Sequence, residues 1–287
     1  MTVLVLGAGG LLGSTIYPGL LAHGFTAVSH GRDGEAQFQA DLTDPDVTRD
    51  LIRQVSPGTV LNLVGLTNVD ACETNPYQAF LANVRTVENI VNGIRLEESS
   101  CHLIHVSTDQ VYDGEGDQDE TEVALRNYYA FSKYAGELAA TTTCSTIIRT
   151  NFFGRSRCTT RSSFTDWIFQ ALSKGESIQV FDDVQFSAIS MQSLGKIMSL
   201  VIREAPGGIF NVGSHGGMSK ADFAFAFAEE VGLPTKLLHR VSIDECTFFR
   251  ARRPRNMRMS CSKFETAVGA RLPMLEDEVR HAASEYR

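Results

Sequence analysis

The sequence predicts an α/β protein in which a doubly wound parallel sheet is followed by a smaller C-terminal domain. Short apolar segments alternate with longer amphipathic ones through the first half of the chain, which is the pattern of successive βαβ units. These apolar segments are nearly continuous, as expected of strands that are covered on both faces. Right-handed crossovers between such strands produce a parallel sheet with helices on its two sides.

Five strands are predicted in the first half, at residues 3–6, 26–29, 59–63, 103–107 and 146–149. The helices between them are predicted at 11–23, 45–55, 76–98 and 127–141. After about residue 149 the alternation loosens, with helices expected at 163–174, 193–204 and 220–231 and strands at 178–181 and 208–212. We therefore divide the chain into domains at 1–150 and 151–287, and expect some segments of the second to return to the main sheet.

The bulk composition excludes several classes of protein. With 287 residues, 43% hydrophobic and 21% charged, the chain has the balance of an ordinary globular protein. A net charge of −8 without a basic face argues against a nucleic-acid partner. No apolar run approaches the ~20 residues of a membrane span, and the chain opens into a strand instead of a signal peptide. The six cysteines form no CxxC pair, so we expect reduced thiols in a cytoplasmic protein.

A glycine-rich turn joins the first predicted strand to the first predicted helix. Its glycines are Gly7, Gly10 and Gly13, and Leu11 and Leu12 open the helix. Glycines permit a tight turn and close approach of the backbone to a pyrophosphate, which the helix N-terminus attracts. The alternative is a turn that binds nothing, although three spaced glycines cost stability. We therefore predict a dinucleotide-binding domain at 1–150 and mainly a substrate-binding domain at 151–287.

The end of the second predicted strand indicates which dinucleotide is preferred. An NAD site usually has an acidic residue there for the ribose 2′-hydroxyl. This chain has His30 at that position, and Arg32 could pair with a 2′-phosphate. NADP(H) is therefore favoured, with NAD(H) possible. In the alternative, Arg32 is a solvated charge and Asp33 binds the ribose.

Tyr129 and Lys133 are spaced by one helical turn and so share a helix face. A nearby ammonium favours the phenolate, so we expect Lys133 to lower the pKa of Tyr129 and make it a usable proton donor. Tyr128 is the rival candidate. It faces partly away from Lys133, and we interpret it as a packing residue.

Three polar residues, Ser107, Thr108 and Asp109, end a buried strand. Ligands of open α/β sheets bind at the carboxyl ends of strands, so these side chains are expected at the site. The Thr108 hydroxyl could donate a hydrogen bond to a substrate carbonyl beside Tyr129. The alternative is that Thr108 only caps the loop.

The chain resembles the extended short-chain dehydrogenase/reductases, which have a Rossmann fold. The motifs that carry the resemblance are GAGGLLG (7–13), DLTD (41–44), VSTDQVYDG (106–114) and NYYAFSK (127–133). More narrowly, NLVGLTNVDACE (62–73), FLANVRTVENIV (80–91) and RARRPRNMRMSCSKFETAVG (250–269) resemble segments of dTDP-4-dehydrorhamnose reductases and related sugar-nucleotide reductases.

This resemblance implies a role for each candidate residue. Tyr129 would be the proton donor. Lys133 would adjust the pKa of Tyr129 and bind the nicotinamide ribose, and the Thr108 hydroxyl would orient the carbonyl. The remaining cofactor-binding candidates are Asp41, Leu42, Leu63, Val64, Gly65, Asn83 and Ser107. The substrate-binding candidates beside Thr108 are Asp109, Asn151, Phe152, Arg252 and Arg253. Some relatives bind a metal through a glutamate after the glycine turn; this chain has Ser14 and Thr15 there, so no metal is expected.

The reaction implied is reduction of a nucleotide-linked 4-keto-6-deoxy sugar, with a homodimer possible. Two alternatives stay open: a non-catalytic NADP-binding regulatory subunit, and a sugar-nucleotide epimerase. The basic residues at 252 and 253 could bind the diphosphate of the substrate or form a solvated cluster. Phe152 stands where the family often has tryptophan, and Ala188 where it often has proline.

Overall fold

The computed structural model describes residues 1–32, 34–97 and 100–287. The strands in these residues are β1 Thr2–Leu6, β2 Thr26–Gly31, β3 Phe38–Gln39, β4 Thr59–Asn62, β5 His102–Val106, β6 Ser145–Thr150, β7 Phe152–Phe153, β8 Ile178–Phe181, β9 Gln185–Phe186, β10 Ile189–Ser190, β11 Gly208–Val212, β12 Met218–Ser219, β13 Leu238–Val241 and β14 Asn256–Met257. The helices are α1 Gly13–Ala22, α2 Pro45–Val55, α3 Val69–Thr74, α4 Pro76–Phe80, α5 Thr86–Leu96, α6 Tyr128–Ala140, α7 Phe164–Ser173, α8 Met191–Glu204, α9 Lys220–Glu230, α10 Ser262–Val268 and α11 Leu275–Ala283.

The main sheet has seven parallel strands in the order β11-β6-β5-β4-β1-β2-β3. From β1 the chain builds outward first through β2 and β3, and then in the other direction through β4, β5 and β6. The strand order therefore reverses between β1 and β4, which is where open α/β sheets bind ligands. The prediction of a doubly wound parallel sheet is confirmed. Strand β11 lies at one edge, so residues 208–212 return to the main sheet.

Apolar helix faces cover both sides of this sheet. On one side α1 and α8 pack together, and on the other α2 packs against α5. A third core lies among α7, α9 and α11, where Phe223, Phe227 and Leu275 are fully buried. Each such side chain contributes roughly 1.5–3 kcal/mol by its burial. None of the helices in the described ranges is long and apolar enough to cross a membrane.

Most predicted elements lie within two residues of the observed ones, and the main difference is in the predicted helix 76–98. That segment is divided into α4, a π-helical turn at Leu81–Arg85, and α5; residue 98 lies outside the described residues. The sequence patterns did not predict the short strands β3, β7, β9, β10, β12, β13 and β14, or the helices α3, α10 and α11. Their patterns are too brief for sequence periodicity to show.

Candidate active site

A cavity of about 600 Å³ opens at the carboxyl ends of β1, β4, β5 and β6. It brings together most of the candidate residues from distant parts of the chain. Those that line it are Gly7, Gly10, Leu11, Leu12, Gly13, Leu63, Val64, Gly65, Ser107, Thr108, Asp109, Tyr129, Lys133, Asn151 and Phe152. The candidates that lie outside its lining are His30, Arg32, Asp41, Leu42, Asn83, Arg252 and Arg253.

The glycine turn requires its glycines for steric reasons. Gly7 has φ +81°, a conformation that other residues rarely adopt. A Cβ on Gly13 would lie only 2.2 Å from the Gly7 carbonyl oxygen. Gly13 therefore lets α1 pack closely against the turn, and the glycines of the turn line the cavity at the N-terminus of that helix. This geometry fits the diphosphate of a dinucleotide.

The catalytic candidates Tyr129 and Lys133 lie on α6, which begins because the Asn127 side chain accepts a hydrogen bond from the Ala130 N–H, 2.8 Å away. Tyr129 is 6% exposed and Lys133 is 4% exposed. The Lys133 ammonium donates to the Val106 carbonyl at 2.7 Å. Tyr128 points elsewhere: it is 43% exposed and lies outside the cavity lining.

The protonation of this pair corrects one expectation from the sequence. Burial raises the pKa of Tyr129 above its ordinary value, while a hydrogen bond with Thr108 acts in the opposite direction. Burial also lowers the pKa of Lys133 to about 8, against the attraction of Glu137. In this structure the pKa of Tyr129 is raised and not lowered as expected from Lys133, because desolvation of the buried phenol is the largest cause of its shift. The phenol is therefore neutral and able to donate a proton.

Thr108 combines the two roles that the sequence left open. Its hydroxyl accepts from the Gln110 N–H at 3.2 Å, so it caps the turn that follows β5, and it also lines the cavity. The neighbouring Asp109 is buried and accepts from the Asn151 amide at 2.7 Å. Burial raises the pKa of Asp109 to about 6, opposed by this hydrogen bond and by the charge of Lys220.

The side chain of Asn83 organises the loop after β4. It lies in the π-helical turn, accepts from the Leu66 N–H at 2.7 Å, and donates to the Leu66 carbonyl at 3.0 Å and the Ser132 hydroxyl at 2.9 Å. Gly136 allows this close approach, since a Cβ there would lie 2.3 Å from the Asn83 carbonyl oxygen. Asn83 thus orders the cavity wall and the residue next to Lys133.

His30 takes a structural position. Its imidazole is buried and its Nε2 lies 3.1 Å from the Ala40 carbonyl oxygen, while burial lowers its pKa. Its backbone carbonyl accepts from the N–H groups of Gly7 and Ala8, at 3.1 and 3.0 Å. The structure therefore does not direct the His30 side chain into the cavity. Its carbonyl holds the glycine turn instead.

The remaining cofactor-binding candidates near β2 and β3 lie outside the cavity lining and differ in their exposure and contacts. Arg32 is exposed. Hydrogen bonds from Thr43 lower the pKa of Asp41, and the charge of Arg32 acts in the same direction. Leu42 is buried, and its carbonyl accepts from Asn89 at 2.9 Å. Asp33, the alternative ribose ligand, lies outside the described residues.

Arg252 and Arg253 line a second cavity of about 500 Å³. The Arg253 guanidinium pairs with Asp70 at 2.9 Å and lies over the Phe249 ring. Arg252 is exposed, and its carbonyl accepts from Asn127 at 2.8 Å. Because Asn127 caps α6, this arginine segment is anchored beside the helix that carries Tyr129.

Sequence reasoning missed a buried ion pair behind the site. Arg149 and Glu137 are 1% and 0% exposed, with nitrogen–oxygen distances of 2.7 and 3.1 Å. Glu137 also accepts from the Ser107 hydroxyl, next to Thr108. Two signals could have revealed the pair. Glu137 lies four residues after Lys133, and Arg149 is a charge within an otherwise apolar strand.

Fold and site together define the class of protein. A doubly wound sheet, a glycine turn at its switch point, and a buried tyrosine–lysine pair beside a strand-end threonine are the features of an extended short-chain dehydrogenase/reductase. At the level of this class, the prediction of an enzyme is confirmed. The chain belongs to the RmlD substrate binding domain family, whose model matches residues 1–287.

Known relatives agree with this assignment. The chain is 28% identical to the probable low-salt glycan biosynthesis reductase Agl14 of Haloferax volcanii, covering 97% of this chain and 96% of the relative. It is 26% identical to the dTDP-4-dehydrorhamnose reductase of Escherichia coli, covering 86% of each. It is also 26% identical to methionine adenosyltransferase 2 subunit beta of Pongo abelii, covering 94% of this chain and 84% of the relative.

The fold agrees with a solved structure as well. The dTDP-4-dehydrorhamnose reductase of Bacillus anthracis, crystallised in complex with NADP, superposes with a TM-score of 0.89 at 22% identity, covering 99% of each chain. The predicted resemblance to sugar-nucleotide reductases is therefore confirmed. Among the described residues, no cluster of histidine, cysteine and acidic side chains is arranged to hold a metal ion.

Proposed function

We propose that this protein is an NADP(H)-preferring reductase of a nucleotide-linked 4-keto-6-deoxy sugar. The observation that carries the proposal is the convergence of Tyr129, Lys133 and Thr108 in the cavity that also contains the glycine turn. A proton donor and a dinucleotide site that share one cavity suit carbonyl reduction. The E. coli relative, named for a dTDP-linked keto sugar, supports this substrate class.

The residues present fit a nicotinamide dinucleotide. The glycine turn and the N-terminus of α1 would hold its diphosphate, and Leu63, Val64 and Gly65 would line its path toward Lys133. When bound, the cofactor supplies the hydride. The NADP complex of the B. anthracis structure supports NADP(H) as the preferred cofactor, with NAD(H) possible.

Residues of this chain supply the proton that the reduction requires. Thr108 orients the substrate carbonyl by a hydrogen bond, and Tyr129 donates its phenolic proton as the carbonyl oxygen gains negative charge. The O–H bond of Tyr129 breaks and a new O–H bond forms on the product alcohol. Lys133 then stabilises the tyrosinate, because its ammonium lies on the same face of α6. Burial keeps the phenol protonated until that moment.

The tyrosine pair offers a matched test of catalysis. In the presence of a dTDP-4-keto-6-deoxy sugar, the wild-type protein should oxidise NADPH stoichiometrically. Tyr129→Phe removes the proton donor while its ring still packs, so kcat should fall by at least ~100-fold with NADPH affinity nearly unchanged. Tyr128→Phe is the control and should retain activity. Loss of activity in Tyr128→Phe alone would show that the wrong tyrosine was chosen.

Cofactor preference tests the role of Arg32. Replacing Arg32 with Ala should weaken NADPH binding by about 1.5–3 kcal/mol and leave NADH binding unchanged, because only NADPH carries a 2′-phosphate. Arg53→Ala, at another exposed arginine, is the control. Calorimetry that finds equal affinities for both cofactors in the wild type would refute the NADP preference.

The arginines of the second cavity test the substrate side. Arg252→Ala should raise the KM for the sugar nucleotide without changing NADPH affinity, since this arginine lines a different cavity from the glycine turn. Arg253→Ala also removes the ion pair between Arg253 and Asp70. Asp70→Asn removes the same ion pair but keeps the arginine, so it is the control. An unchanged KM in Arg252→Ala and Arg253→Ala would identify these arginines as a solvated cluster.

A second candidate is a dinucleotide-binding subunit without its own turnover, which the similarity to methionine adenosyltransferase 2 subunit beta favours. It predicts NADPH binding but no NADPH oxidation with any keto-sugar nucleotide. Calorimetric titration with NADPH and the NADPH-oxidation assay therefore distinguish the two functions.

A further inference from the structure

A basic loop that the proposed reaction does not use lies beside the cofactor cavity. We call it the arginine loop: residues 154–163, between β7 and α7. It carries Arg155, Arg157 and Arg161. Three arginines in seven residues stand out in a chain whose net charge is −8.

Hydrogen bonds hold this loop closed on itself and against the glycine turn. The Ser156 hydroxyl donates to the Arg161 carbonyl at 2.8 Å, and the Ser156 N–H donates to the Asp166 carboxylate at 3.1 Å. The Cys158 thiol donates to the Gly9 carbonyl at 3.3 Å. The loop therefore contacts the turn that faces the expected diphosphate.

Arg161 is the arginine of this loop that lines the cavity, together with Ser162 and the glycines of the turn. Its guanidinium forms no ion pair with a carboxylate in the described part of the chain. Arg155 differs, because its guanidinium donates to the Glu285 carbonyl at 2.6 Å and lies over the Tyr286 ring. An exposed cation without a counter-charge at the cavity wall is suited to an anionic ligand.

We infer that Arg161 binds the diphosphate of the dinucleotide in the cavity that it shares with the glycine turn. The glycine turn supplies only partial positive charge, from backbone N–H groups and the end of α1. A guanidinium adds a full charge and a planar pair of donors that match phosphate oxygens. This inference rests on the proposed dinucleotide function.

The diphosphate is favoured over the 2′-phosphate by position. Arg161 shares its cavity with Gly7, Gly10 and Gly13, whereas Arg32 lies outside the lining of that cavity. The diphosphate is common to NADPH and NADH, but the 2′-phosphate occurs only in NADPH. Arg161 and Arg32 should therefore differ in how they affect the two cofactors.

The test is calorimetric titration of the full chain with NADPH and with NADH. Arg161→Ala should weaken the binding of both by the same factor, about 10-fold, which is the effect of losing one charge-assisted hydrogen bond. Arg157→Ala is the matched control from the same loop and should change neither affinity. Arg32→Ala should weaken NADPH alone. Circular dichroism of each variant would show that the fold is retained.

Three results would overturn the inference. If Arg161→Ala weakens only NADPH, Arg161 binds the 2′-phosphate; if it leaves both affinities unchanged and raises the KM for the sugar nucleotide, Arg161 binds the substrate instead. Unchanged affinities with an unchanged KM would also overturn it. A wild-type protein that binds neither dinucleotide would refute the proposed function itself, which is a separate outcome.

Discussion

The buried Glu137–Arg149 pair supports a sharp prediction about stability. Glu137→Gln preserves the size of the side chain and removes its negative charge. Both side chains are almost fully buried, so water cannot solvate the positive charge that is left on Arg149. The Arg149 guanidinium would keep its hydrogen bonds to the Tyr112 hydroxyl at 2.8 Å and the Glu120 carbonyl at 2.9 Å, but its charge would be uncompensated.

The expected cost follows from that uncompensated charge. Removing one partner of a buried ion pair costs about 3–5 kcal/mol. Domains are stable by only about 5–15 kcal/mol in total, so this is a large fraction. For a chain of this size, the midpoint of thermal unfolding should fall by roughly 10 °C.

Urea denaturation followed by circular dichroism measures the effect. Asp50→Asn is the matched control: it also removes one carboxylate charge from an ion pair, but Asp50 and Arg53 are 64% and 59% exposed, so we expect a change below about 1 kcal/mol. A Glu137→Gln variant whose unfolding free energy lies within about 1 kcal/mol of the wild type would refute the reasoning.

Three further predictions concern the site. Gly13→Ala should abolish NADPH binding, measured by calorimetry, because its Cβ would lie 2.2 Å from the Gly7 carbonyl oxygen; Gly9→Ala, which meets nothing within 4 Å, is the control. NADPH affinity should fall as the pH rises through about 8, since Lys133 has a pKa of about 8 and loses its charge there. Tyr129→Phe should keep this pH dependence. If the pH dependence disappears in that variant, the titrating group is the tyrosine. Asp70→Ala should raise the KM for the sugar nucleotide with unchanged NADPH affinity, because it removes the oxygen that accepts hydrogen bonds from the backbone of the arginine segment; an unchanged KM would show that this anchoring is unimportant for substrate.

Features that depend on a single helix or strand, or on the turn between two neighbouring ones, could be predicted from the sequence. The strands and helices of the first half follow from apolar periodicity, and the spacing of Tyr129 and Lys133 places both on one helix face. The glycine turn was recognisable because it lies between a strand and a helix. The motifs around Thr108 and Tyr129 converge because the first follows β5 and the second begins α6, the next α-helix, which puts both at the carboxyl edge of the sheet.

Tertiary structure decided what depends on contacts between distant segments. The order of residues near His30 cannot show whether its imidazole faces the cavity or the Ala40 carbonyl. The pKa of Tyr129 is raised chiefly by burial among surrounding elements, which the spacing of residues on one helix does not show. The pairing of Arg149 with Glu137 and the position of Arg161 beside the glycine turn likewise need the packed chain. Local periodicity determines which face of an element is apolar, but desolvation and long-range pairing arise only when those faces come together.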